Sequence, residues 1–193
     1  MRHLFAGLAL IFGAAGLPSA SLAAPSIDCM DQGYSAAETA DFERFYSSFR
    51  LSQLEAGPGS EILAAVTRRS GECAEMHGWS GEAIEDAVIY RFFGVLQTAL
   101  ERNSPFTEVQ MRRLSAAVAA TDQERLGRIV RALVNAGMNG ELTPEQSQSD
   151  LTFLGRILIR AGVPVTEETG RFAGALIAAW ITREQVSRRF GTL

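Results

Sequence analysis

The 193-residue chain has no lysine; all 18 of its basic side chains are arginine. Without an amine side chain there is no Schiff-base lysine, no pyridoxal-phosphate anchor, no Ser-Lys dyad and no phosphate-loop lysine. Histidine is almost as scarce, with only His3 and His77. That excludes HExxH and His-rich zinc sites, and any nucleophile-histidine relay beyond the leading segment would have to use His77. The nucleophile-elbow spacing GxSxG is also missing, and Gly78-Trp79-Ser80-Gly81 matches it only superficially. No stretch after residue 23 approaches the roughly 20 apolar residues of a membrane span; the best is Phe172 to Ile181.

One apolar run lies at the very start. Arg2 and His3 precede Leu4 to Leu17, then Pro18 and small residues lead to Ser21-Leu22-Ala23. This is the pattern of an export signal cleaved after Ala23, and it places the mature protein in the periplasm or outside the cell. The alternative, an uncleaved anchor, would need a longer apolar run. Residues 24–34 read as an extended polar leader and residues 35–193 as a single domain. After cleavage no membrane span remains.

The charge is uneven. Residues 24–99 carry 12 acids and 5 Arg, a net of −7, whereas residues 100–193 carry 10 acids and 12 Arg, a net of +2. No broad basic footprint exists, which argues against a nucleic-acid partner. The Arg pairs Arg112/Arg113, Arg156/Arg160 and Arg188/Arg189 suit either an anionic surface or the acidic first half.

Periodicity is helical throughout, and no segment alternates with period two for long enough to make a strand. Ser35 and Glu38 form a capping box before an aromatic stripe of Phe42, Phe45, Tyr46 and Phe49. Ile62, Leu63 and Val66 begin a short helix that Ser70-Gly71 is expected to stop, and a further turn carries Cys73, Met76 and His77. The most apolar helix runs near 81–102, capped by Ser80, with 12 of the 18 residues from Ala83 to Leu100 apolar. Its apolar face is wider than one neighbour covers, so it is predicted to sit at the centre of the bundle. Thr107, Thr121, Thr143 and Thr166 each stand where a helix should begin. The fold class is all-α, an irregular bundle of about six to eight helices around that central one.

Candidate chemistry is sparse. Two cysteines in an exported chain predict one disulfide, Cys29 to Cys73. The sharper alternative is a copper-type metal site, because Cys73 and His77 are i, i+4 on one helical face with Met76 beside them. A glycan-cleaving cell-wall enzyme would need one or two carboxylates, for which Glu75 or Glu82 are the candidates. Glu82, Glu85 and Asp86 already have a reason to stand at a helix start, where the macrodipole favours negative charge. Tyr90, Gly94 and Gln97, with Arg91 at the border, form a narrow polar strip on the central helix that can line a groove. Asn135 to Gln146 resembles an EF-hand calcium loop over 12 residues, with Gly140 at the sharp turn and Leu142 at the apolar place. Its ligand places depart from that family: Asn135, Gly137, Asn139 and Gln146 stand where carboxylates are usual. No cofactor motif is present. The reading that remains is a non-catalytic binding or interaction module for a protein or small-molecule ligand, in an oligomeric state the sequence does not specify.

Overall fold

The computed structural model describes residues 26–54, 57–139 and 144–193, with the backbone alone for 133–139 and 144–147. The stretch read as an export signal, residues 1–23, therefore lies outside the described residues. Among the described residues seven α-helices form one bundle: α1 (Ala36–Ser48), α2 (Ser60–His77), α3 (Gly81–Arg102), α4 (Glu108–Ala119), α5 (Gln123–Asn139), α6 (Pro144–Ala161) and α7 (Glu167–Phe190). Short 3-10 turns occur at Ile27–Asp31 and Leu51–Gln53. No strand occurs among the described residues.

α3 is the central helix, and α7 is its most extensive partner. α1 and α2 also pack on α3, α5 rests on α7, and α6 rests on α4. This explains the wide apolar face of α3, where Ala83, Ala87, Val95, Leu96, Ala99 and Leu100 are buried. The apolar run in α7 is used the same way, with Phe172, Leu176, Ile177 and Ile181 in the core. Small residues at Ala87, Ala99 and Gly94 on α3, and Ala173 and Ala179 on α7, let these helices approach closely. A Cβ on Gly94 would stand 3.3 Å from Arg183 Nε, so this side chain of α7 lies directly on the α3 backbone.

The helix starts follow their local chemistry. Ser35, Thr107 and Thr166 form reciprocal capping boxes with Glu38, Gln110 and Thr169. Ser80 Oγ accepts from the Ala83 amide to start α3. Gly78 closes α2 in the left-handed region at φ 66°, a conformation that glycine adopts at little cost.

Three local expectations need correction. The leader is not wholly extended, because Ile27 and Met30, three residues apart on a 3-10 turn, are both buried. α2 does not stop at Ser70-Gly71. It runs unbroken to His77, since Ile62, Val66, Ser70 and Cys73 make one buried stripe and Ser70 Oγ bonds back to the Thr67 carbonyl at 2.8 Å. At the start of α5 the cap is Asp122, whose Oδ1 accepts the Arg125 amide at 3.0 Å. Thr121 instead donates to the Ala117 carbonyl at 2.7 Å and finishes α4. Thr143 lies outside the described residues.

Cys29 and Cys73 are joined, with their Cα atoms 6.0 Å apart and a sequence separation of 44. The bridge fastens the 3-10 turn to α2, and Met30, fully buried, anchors it beside the bond. Closing a loop of that length contributes on the order of 4 kcal/mol in the chain-entropy model.

Candidate functional site

The polar strip of α3 meets α7 and the 3-10 turn in a continuous hydrogen-bonded seam. Tyr90, Gly94, Gln97 and Glu101 recur at helical spacing and so share one side of α3. At one end Tyr90 Oη donates to Asp31 Oδ2 at 2.9 Å and accepts from Arg183 Nη2 at 2.7 Å. The Arg183 guanidinium also lies 4.4 Å from the Tyr90 ring centroid. Arg91 also approaches Asp31, at 3.3 Å, and lies over both Tyr34 and Phe42. Asp31 is thus held by two guanidiniums and a phenol. Burial pushes the Tyr90 phenol up from its ordinary value and the Asp31 charge adds to this, so it stays protonated and can donate.

The seam continues along α3. Arg183 Nη1 donates to Gln97 Oε1 at 3.4 Å, and Gln97 Nε2 donates to Glu101 Oε1 at 2.9 Å. Trp180 Nε1 donates to that same oxygen at 3.0 Å. The side chains are therefore oriented from Asp31 to Trp180 through one chain of bonds.

At its far end the seam opens into a groove of about 610 Å³ between α3, α4 and α7, which also touches Gln123 at the start of α5. The volume falls within the roughly 300–1,000 Å³ common for ligand pockets. One wall presents Gln97, Glu101 and the half-buried Trp180; the opposite wall presents Met111, Arg112 and Val118. Glu184 and Arg188 pair with each other at its rim. An aromatic face, a carboxylate already fixed by two donors and apolar side chains opposite suit an amphipathic ligand held by contact and hydrogen bonding.

Cys73, Met76 and His77, the alternative copper-type set, all lie in the last turns of α2 but in different surroundings. Both cysteine sulfurs are in the disulfide, so Cys73 has no thiolate to give, and its side chain is fully buried. Met76 is 65% exposed, whereas the His77 ring stacks on Trp79 at 5.9 Å. No group of three His, Cys, Asp or Glu side chains gathers in metal-holding geometry among the described residues. Glu75 and Glu82 are both exposed, on α2 and α3 respectively. The calcium-like stretch from Asn135 to Gln146 falls on residues whose side chains lie outside the description. No helix among the described residues is long and apolar enough to cross a membrane.

Of the residues in the seam, Tyr90, Arg91, Gly94 and Gln97 were legible from the sequence as a polar strip. Asp31, Arg183 and Trp180 were not. Asp31 and Arg183 are 152 residues apart, and nothing local to either announces the other. Trp180 belongs to an apolar run that reads as core, although it keeps its indole N–H for Glu101. The chain matches no protein-family model, no curated protein and no solved structure.

Proposed function

We propose that the chain is an exported, periplasmic or secreted, helical binding protein whose ligand lies in the α3–α4–α7 groove. The observation that carries this reading is the fixed wall of Trp180, Glu101 and Gln97, whose polar atoms are oriented before any ligand arrives. A side chain locked by its neighbours loses little freedom on binding, and that favours affinity. The leading apolar segment and the disulfide support export, because such bridges persist in oxidising compartments. The amphipathic walls suit a small molecule or a peptide segment that offers a donor to Glu101 and an apolar face to Met111 and Val118.

The test is a native mass of the protein recovered from its export compartment, compared with the same sample after denaturation. The expected result is a chain beginning at Ala24, two hydrogens short, with an adduct that denaturation releases. Ser115→Trp, made from an exposed position on the groove, should abolish the adduct without altering the helix content. A chain that retains residues 1–23 overturns export by cleavage. An adduct equally abundant on the blocked variant overturns the groove.

A further inference from the structure

A second cavity lies between α6 and the start of α5 and shares no lining residue with the groove. It measures about 150 Å³ and is lined by Thr121, Arg125, Phe153, Arg156, Ile157 and Arg160. Three of its six side chains are guanidinium groups, and none is an acid. Phe153, Arg156, Ile157 and Arg160 recur at three- and four-residue spacing, so they share one face of α6. Arg125 reaches across from the first turn of α5; it lies 4.4 Å from the Phe153 ring centroid and donates from Nη2 to Ser149 Oγ at 3.2 Å. It is held in place by neutral groups, so its charge is not neutralised there.

None of the three arginines pairs with a carboxylate among the described residues. The acids near it among the described residues are used elsewhere or lie outside its lining. Asp122 caps α5, Glu124 pairs with Arg128, and Asp150 does not line the cavity. Arg156 and Arg160 are like charges four residues apart on one helix, an arrangement that is unfavourable without a counter-ion. Other surface arginines of this chain, such as Arg44, Arg68 and Arg102, do have acid partners.

We propose that this cavity is a binding site for a phosphate group. The planar guanidinium fork matches the oxygens of a phosphate bidentately, and three of them line this space together with Phe153 and Ile157. The dianion could arrive as free phosphate or a soluble phosphomonoester, or the group could be the headgroup of an anionic lipid.

The experiment titrates the purified full chain with inorganic phosphate by calorimetry. In parallel, it measures sedimentation with vesicles of phosphatidylglycerol in phosphatidylcholine and of phosphatidylcholine alone. Arg156→Gln/Arg160→Gln is the site variant, and both positions are exposed, so the fold should survive. Arg113→Gln/Arg171→Gln removes the same charge from exposed positions outside the cavity. The expected result is binding of inorganic phosphate that weakens roughly tenfold per guanidinium lost in the site variant, with the control within about twofold of the parent. Binding to the anionic vesicles only, abolished by the site variant and kept by the control, would assign the phosphate to a lipid. Failure of both probes to bind, or equal losses in the two double variants, overturns the proposal.

Discussion

Arg189, in the last turn of α7, forks onto Asp86, in the second turn of α3, with Nε 2.7 Å from Oδ2 and Nη2 in contact with Oδ1. The two ends of this ion pair sit in different surroundings: the Asp86 side chain is 4% exposed and the Arg189 side chain 60%. Deleting one partner is therefore not equivalent to deleting the other. Arg189→Ala strands a buried carboxylate without its partner, at about 3 kcal/mol. Asp86→Ala releases an arginine into water and should cost only about 1 kcal/mol. Denaturant melts of both variants check the order, and equal losses would show that the pair is screened at both ends.

All three tyrosines of the chain, Tyr34, Tyr46 and Tyr90, have phenols pushed up from their ordinary value, in each case chiefly by burial. A phenol whose folded value is raised stabilises the native state fully below about pH 10 and loses that contribution as the pH climbs through the folded value. Because the chain has no lysine, no other side-chain class titrates in this window. Tyrosinate absorbance should therefore stay low at pH 10 and rise together with the loss of helical circular dichroism. Three phenols that ionise near pH 10 with the helices intact would contradict the burial.

At the acid end the Arg68 guanidinium beside Glu38 holds its carboxyl down to about 2, helped by the Ser35 amide. Glu43 and Glu72 are lowered by Arg102 and Arg68 in the same way. Depressed carboxyls contribute stability that is present above their unfolded value near 4.5 and is lost as the pH falls towards 2. Glu38→Gln keeps the capping box, because glutamine also serves at that position, but removes the titration. Its melting temperature should fall less steeply than the parent's between those two pH values. Parallel curves would assign the acid limb to other carboxyls.

What the sequence made legible was local. Ser80 before a long apolar helix announced α3, and Ser35, Thr107 and Thr166 announced three further starts, because a cap and its partner lie within four residues of each other. Thr121 misled since Asp122, the better-placed oxygen and the stronger capping residue type, sits next to it. The seam from Asp31 to Trp180 depends on how α7 returns across α3, which no window of neighbouring residues encodes. The three-arginine cavity was visible only in part. Arg156 and Arg160 stood out as a pair, but the contribution of Arg125 needs the turn between α4 and α5 to bring it over Phe153.

The continuity of α2 gives the last prediction. Gly71 reads as a helix breaker, yet it sits in the middle of an eighteen-residue helix whose buried stripe continues on both sides of it. A helix holds such a glycine only because tertiary contacts, here those of Val66, Ser70 and the disulfide-bonded Cys73, compensate for its poor propensity. Gly71 is exposed, and a Cβ placed on it would meet nothing within 4 Å. Gly71→Ala should therefore gain about 1 kcal/mol of stability, measured as a higher denaturation midpoint with an unchanged slope. The same substitution at Gly78 should destabilise, because the left-handed backbone there at φ 66° opposes any side chain. If Gly71→Ala were neutral or harmful, α2 would be broken at that point, as the local pattern of residues suggests.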